Sequence, residues 1–239
     1  MDSILFLTEE LIEDLLPKTQ KEKAITPLQK VKIALRYFAS GKIQLHDADM
    51  HDMPQPAPIY ISQVIEALTK PHIVQEFISF PKTQRGLQEL EREFYDTASV
   101  PDVLGVIGGI HVQLQAQTQD AEVYANRMKY HSMTIQVVFD SYETVIDIVA
   151  RWPECVHDRS ILRKSGLLAF LKDGDCLPPG CPYQKWRLTP YLKPKPGSQT
   201  QYNRATNVER GIDQLKRRWG ILHSEIKMSS EKVCNSCSS

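Results

Sequence analysis

The 239 residues include 29 Lys or Arg and 29 Asp or Glu, so the formal net charge is zero, and 41% of the chain is hydrophobic. That length and composition suffice to bury most of the apolar surface in one sizeable domain, or in one domain with a helical appendage, which excludes a disordered tail. No stretch approaches about eighteen consecutive apolar residues, and the opening MDSILFLTEELIEDLL carries acids where a signal peptide needs a basic leader, so the reading is a soluble intracellular protein with no membrane partner.

Thr8 is placed to cap a first helix in which Leu11, Ile12, Leu15 and Leu16 form an apolar stripe closed by Pro17. Thr26-Pro27-Leu28-Gln29 reads as a capping box with Pro at the first helical position, and Leu28, Val31, Leu35 and Phe38 follow at helical spacing until Ser40-Gly41. His46 to Asp52 gathers two imidazoles and three carboxylates, which fits a divalent-ion site or a flexible polar loop. The alternating prolines of Met53 to Pro58 remove donors and clash with a continuous helix, so the next helix is not expected before about Ile59, with Ile61 to Leu68 as its body. Ile73 to Phe80 is apolar and ends at Pro81. Thr83 to Tyr95 then reads as a helix with Leu87, Leu90 and Phe94 on its core face.

Ser99 to Asp102 lead into three runs: VLGVIGGIHVQLQAQ, HSMTIQVVFD, and TVIDIVARWPECVHDRSILR, which leaves its strand through Pro153 into a loop ending at His157-Asp158. Three strands followed by a helix predict a mixed α/β sheet with polar groups gathered at the strand ends, where an active site would sit. The natural division is a helical region over 1–99 and an α/β region over 100–239, with the boundary near Val100. Asp173 to Gly180 is rich in turn residues, and LKPKPGSQTQ reads as an exposed connector. Tyr202-Asn203-Arg204-Ala205 opens a final helix bearing Glu209, Asp213 and Lys216-Arg217-Arg218-Trp219, with Gly220 as its stop or kink. Pro182 to Lys227 holds ten Lys or Arg against three acids, a balance that suits a phosphate backbone or a solvated helix face. The five cysteines, Cys155, Cys176, Cys181, Cys234 and Cys237, are an odd number in a chain without an export signal, so reduced thiols are expected. Cys234-x-x-Cys237 fits a zinc or redox pair, or an incidental one.

Four motifs occur in order: G-V-I-G-G-I-H-V from Gly105, Y-A-N-R-M-K-Y-H-S-M from Tyr124, A-R-W-P-E-C-V-H-D-R-S-I-L from Ala150, and W-R-L-T-P-Y-L from Trp186. Together they closely resemble the Harbinger transposase-derived nucleases, a branch of the DDE transposase superfamily, and the resemblance runs from about Leu5 to Cys237. It implies an α/β, ribonuclease H-like mixed sheet with flanking helices, preceded by a small helical region similar to a helix-turn-helix and degenerate here because of its prolines. It also implies DNA as substrate, a Myb-like DNA-binding protein as partner, and the nucleus as location with the cytoplasm as a second. The family segment that Met228 to Val233 resembles continues into a further apolar helix, whereas this sequence stops at Ser239, so the nuclease domain is expected to be truncated there.

The resemblance further implies a divalent cation, magnesium or manganese, bound by carboxylates. Two dications about 4 Å apart repel by roughly 17 kcal/mol at an effective dielectric near 20, and three or four carboxylates are needed to offset that. The family's first Asp falls at Gly108, and its third falls at Pro178, eight positions before Trp186. Asp175 lies three residues upstream of Pro178 and is a candidate substitute if the turn is repositioned. The second Asp is retained as Asp158 and the helix Glu as Glu209, so these two are the candidate catalytic and metal-binding residues. Each also fits an ion pair with Arg159, Arg163 or Arg210. Lys216, Arg217, Arg218 and Arg127 are the candidate nucleic-acid contacts, and His111 reads as a core or rim histidine. Two functions follow: a divalent-metal-dependent DNA nuclease impaired by the loss of two of four carboxylates, or a catalytically inactive domesticated transposase that binds DNA or protein.

Overall fold

Thr26 and Gln29 begin the best-capped helix of the N-terminal half. The Thr26 backbone N–H donates to Gln29 Oε1 at 2.9 Å while Gln29 N–H donates back to Thr26 Oγ1 at 3.3 Å. This reciprocal pair satisfies two donors that a helix start otherwise leaves unpaired, an effect worth about 1 kcal/mol. The computed structural model describes residues 2–16, 25–41, 57–99, 101–114, 131–153, 208–224 and 226, with Ile161, Lys164, Gly166, Leu167 and Gly197.

Helix α1 is Asp2–Glu10 and α2 is Ile12–Leu15. Thr8 therefore lies inside a helix instead of capping one, and its hydroxyl donates to the Ile4 carbonyl at 2.7 Å. The break at Leu11 also narrows the expected stripe. Leu11 and Leu15 are fully buried, whereas Ile12 and Leu16 are 43% and 56% exposed. Helix α3, Pro27–Ser40, ends in the left-handed cap Gly41.

Helix α4, Ala57–Leu68, starts two residues earlier than Ile59. Pro58 occupies its first turn, where an N–H has no intrahelical acceptor to lose, so the proline is tolerated there. Helix α5 is Pro71–Phe77, and α6, Gln84–Ala98, buries Leu87, Leu90 and Phe94. The first core cluster joins Leu11, Leu15, Val31, Ala34, Val64, Ala67 and Ile73. Each of its large side chains contributes about 1.5–3 kcal/mol by leaving water.

Among the described residues three strands follow: β1 Val106–Leu114, β2 His131–Phe139 and β3 Val145–Pro153, in the order β1-β2-β3. Both pairings are antiparallel, with Gly108 opposite Val137 and Val138 opposite Asp147. Among the described residues the parallel component of the expected mixed sheet is a single bridge, Leu114 to Ile226. Strand β2 is the central one and is buried on both faces from Ser132 to Phe139, Ile135 alone being half-buried.

The last helix among the described residues, α7, is Val208–Arg218, and a 3₁₀ turn follows at Gly220–His223. The α-helix ends at Arg218, and Gly220, which begins the 3₁₀ turn, brings two regions of the chain together. A Cβ there would lie 2.4 Å from the Ala39 carbonyl oxygen, so only glycine lets α3 approach this closely. Phe38 meets Trp219 edge-on with ring centroids 6.4 Å apart, and Ile221 packs on Ile33, Tyr37, Ala57 and Ile61. The helical region thus leans on the segment that ends α7. No helix among the described residues is long and apolar enough to cross a membrane.

Candidate functional site

Strand β1 alternates: Ile110, Val112 and Leu114 are buried, while Ile107, Gly109 and His111 are exposed. The face with Gly108, Ile110 and Val112 is covered by α7, because Val208, Ile212 and Leu215 repeat at helical spacing and pack on Ile110, Val112, Val137 and Phe139. This packing brings the helix that carries Glu209 directly over Gly108. A Cβ on Gly108 would lie 2.5 Å from Val208 Cγ2 and 2.8 Å from Ile212 Cδ1. The fit is reciprocal on the helix, where a Cβ on Gly211 would lie 3.0–3.1 Å from three atoms of the Phe139 ring.

Glu209 is exposed on α7. Its neighbour Arg210, one of the candidate ion-pair partners, is engaged elsewhere: Arg210 Nε lies 2.7 Å from Glu143 Oε1, and Gln214 Nε2 donates to Glu143 Oε2. Glu143 sits in the turn between β2 and β3 with a φ of 65°, and Asp140 shapes that turn by accepting from the Tyr142 and Thr144 N–H groups, each at 2.8 Å. Asp140 could have signalled the turn, because an Asp side chain can mimic a backbone turn. Nothing local marks Glu143, Arg210 and Gln214 as partners, since they meet only once α7 has docked.

Lys216, Arg217 and Arg218 form the last turn of α7, where cations favour the negative end of the helix dipole. Consecutive helical residues are separated by about 100°, so the three side chains fan around the helix end instead of sharing one face. Lys216 is half-buried on the flank that also bears Glu209 and Asp213, whereas Arg217 and Arg218 are exposed. His111 is a rim residue, with Nδ1 3.3 Å from Thr134 Oγ1. Asp147, absent from the sequence expectations, is half-buried on β3. Burial pushes its carboxyl above the ordinary value of 3.8, partly countered by the Ile148 N–H.

Asp158, Pro178, Asp175, Arg127, Arg159, Arg163, the five cysteines and the His46 to Asp52 cluster lie outside the described residues. Among the described residues no group of three or more His, Cys, Asp or Glu side chains could hold a metal ion. At Gly108 the local chemistry does not suit a cation either: the strand offers no side chain, and what stands over it are the methyl groups of Val208 and Ile212. The described part of the site does not fit a two-metal centre.

The model of the DDE superfamily endonuclease family matches residues 107–238. The mouse protein named "Putative nuclease HARBI1" is 31% identical over 92% of this chain and 66% of its own length. The human protein of the same name is 30% identical over 87% of this chain and 61% of its own. An Arabidopsis thaliana protein named "Antagonist of like heterochromatin protein 1" is 26% identical over 81% of this chain and 55% of its own. The chain therefore spans less than two thirds of the length of these relatives. No solved structure matches it.

Proposed function

The chain belongs to the DDE superfamily endonucleases, in their Harbinger transposase-derived branch, and on that premise we propose that it is a nuclease scaffold that still engages DNA but whose phosphodiester cleavage is severely impaired. The observation that carries this reading is the contact between Gly108 and Val208, which puts a methyl group over the strand position where the family pattern calls for a carboxylate. A ribonuclease H-like arrangement is supported by the way α7, the helix that carries Glu209, packs across β1. The proposed organisation is a helical region over 1–99 and a nuclease domain over 100–239.

DNA contact in this reading is to the backbone. Helix α4, which corresponds to the later helix of the family's helix-turn-helix-like region, reads APIYISQVIEAL and contains no Lys or Arg from Ala57 to Leu68. Lys and Arg make the commonest phosphate and base contacts, so α4, whose one amide side chain is Gln63, is poorly equipped for either. A Myb-like partner that supplies sequence recognition, and a nuclear location, complete the proposal. The test compares duplex binding with manganese- or magnesium-dependent nicking of supercoiled plasmid. Binding without nicking above a Glu209→Ala control is expected, and nicking that depends on Glu209 would overturn it.

A second reading is a weak divalent-metal-dependent nuclease with Asp158 and Glu209 as surviving ligands. One observation favours it: Arg210 is committed to Glu143, which leaves Glu209 without its nearest candidate counter-ion. The same nicking assay separates the two.

A further inference from the structure

We infer that Gly108 is a docking socket for α7, so that Val208 and Ile212 occupy the space a metal-binding side chain would need and the loss of the first carboxylate is locked in by helix packing. The inference rests on reading Gly108 as the family's first ligand position, and it goes beyond a missing charge. If the position were merely empty, restoring Asp would restore a ligand. The geometry argues otherwise.

Both methyls of Val208 crowd the position, Cγ2 at 2.5 Å and Cγ1 at 3.2 Å from a Cβ on Gly108. Valine is stiff at χ1 and one rotamer strongly predominates in a helix, so the turn that would put Hβ in place of Cγ2 is disfavoured. Ile212 Cδ1, at 2.8 Å, is the end of a longer side chain and yields more easily. The helix itself cannot lift freely, because three other contacts hold it. Gly211 lies against the Phe139 ring, Arg210 and Gln214 reach Glu143, and Trp219 with Gly220 abuts α3. A carboxylate introduced at 108 would also face methyl groups, where an unpaired charge is strongly disfavoured. Val208 is thus the positioning residue that sets how close the Glu209-bearing helix sits to β1.

The experiment uses the whole chain and two sets of variants. In the first, Gly108→Ala is expected to lower the melting temperature by about 5 °C, the size typical of overpacking in a chain of this length. Gly108→Ala with Val208→Ala is expected to melt above Gly108→Ala alone, because the second change opens the socket. An unchanged melting temperature for Gly108→Ala, or no recovery in the double variant, overturns the socket. In the second set, Gly108→Asp with Pro178→Asp is compared with and without Val208→Ala, reading the melting-temperature shift on adding manganese. A shift confined to the variant that includes Val208→Ala supports the inference, and equal shifts overturn it. If the alanine set behaves as expected and manganese stabilises neither, the socket stands and the assignment of position 108 as a ligand site fails.

Discussion

Arg210 Nε lies 2.7 Å from Glu143 Oε1, which ties α7 to the turn between β2 and β3. Arg210 is 70% exposed, so the pair is expected to contribute less than about 1 kcal/mol and to weaken in high salt. Glu143 holds a φ of 65°, a left-handed backbone that costs a non-glycine residue roughly 1–2 kcal/mol. The two effects can be separated. Glu143→Ala loses the clasp and keeps the strain, whereas Glu143→Gly loses the clasp and relieves it. Urea unfolding should therefore rank Gly above Ala by about 1 kcal/mol, and equal midpoints would show that the turn is not strained.

Lys30 is 5% exposed, and its ammonium donates to the Leu15 carbonyl at 2.9 Å and stands 5.8 Å from the Tyr60 ring centroid. Burial lowers its pKa from the ordinary 10.5. Between the folded-state value and 10.5 the unfolded chain binds more protons, so this group makes stability rise with pH through that window. Lys30→Met removes the titration and the bond to Leu15, a loss of about 1 kcal/mol at neutral pH that relief of the buried charge partly offsets. Urea midpoints followed from neutral pH to about pH 10 should show the parent chain gaining on Lys30→Met. Parallel curves would mean that the ammonium is solvated.

Asp147 shows the opposite sign. Its pKa is raised above 3.8, so the stability tied to this group is fully present below 3.8 and is lost as pH rises through the folded-state value. At neutral pH the ionised carboxylate is a burden. Asp147→Asn keeps an oxygen for the Ile148 N–H and removes the charge, so it should melt above the parent at neutral pH, with the gap closing in acid. A lower melting temperature for Asn at neutral pH would point to a cationic partner for Asp147.

Local chemistry wrote the parts of this fold that could be read in advance. The Thr26–Gln29 box, the Leu87, Leu90 and Phe94 stripe and the β-branched runs of β1 to β3 all depend on neighbours a few residues away. Thr8 misled because a threonine inside a helix can satisfy its hydroxyl on the preceding turn, as it does on Ile4. Pro58 misled because proline is harmful only beyond the first turn. Distant packing stayed hidden. At Gly108 the sequence offered only a mismatch with the family pattern, and the closeness of Val208 emerges only when α7 lies on β1, while Gly220 read as a helix stop with no hint of the approach to Ala39.

If the chain engages DNA as proposed, the basic end of α7 limits how a duplex can be held. With about 100° between successive residues, a single phosphate backbone can meet two of Lys216, Arg217 and Arg218 but not all three. Lys216 is the weakest contributor, since it is half-buried while Arg217 and Arg218 are exposed. Each phosphate contact adds about 0.9 to the slope of log affinity against log salt for duplex DNA. Arg217→Ala and Arg218→Ala should each reduce that slope by about 1, and the triple alanine variant by no more than about 2, in anisotropy titrations over a salt series. The loss should be the same for unrelated duplex sequences, because phosphates carry no base information. A reduction near 3 would require DNA on more than one side of the helix end, and a sequence-dependent loss would require base contacts that a fan of cations at a helix terminus is poorly placed to make.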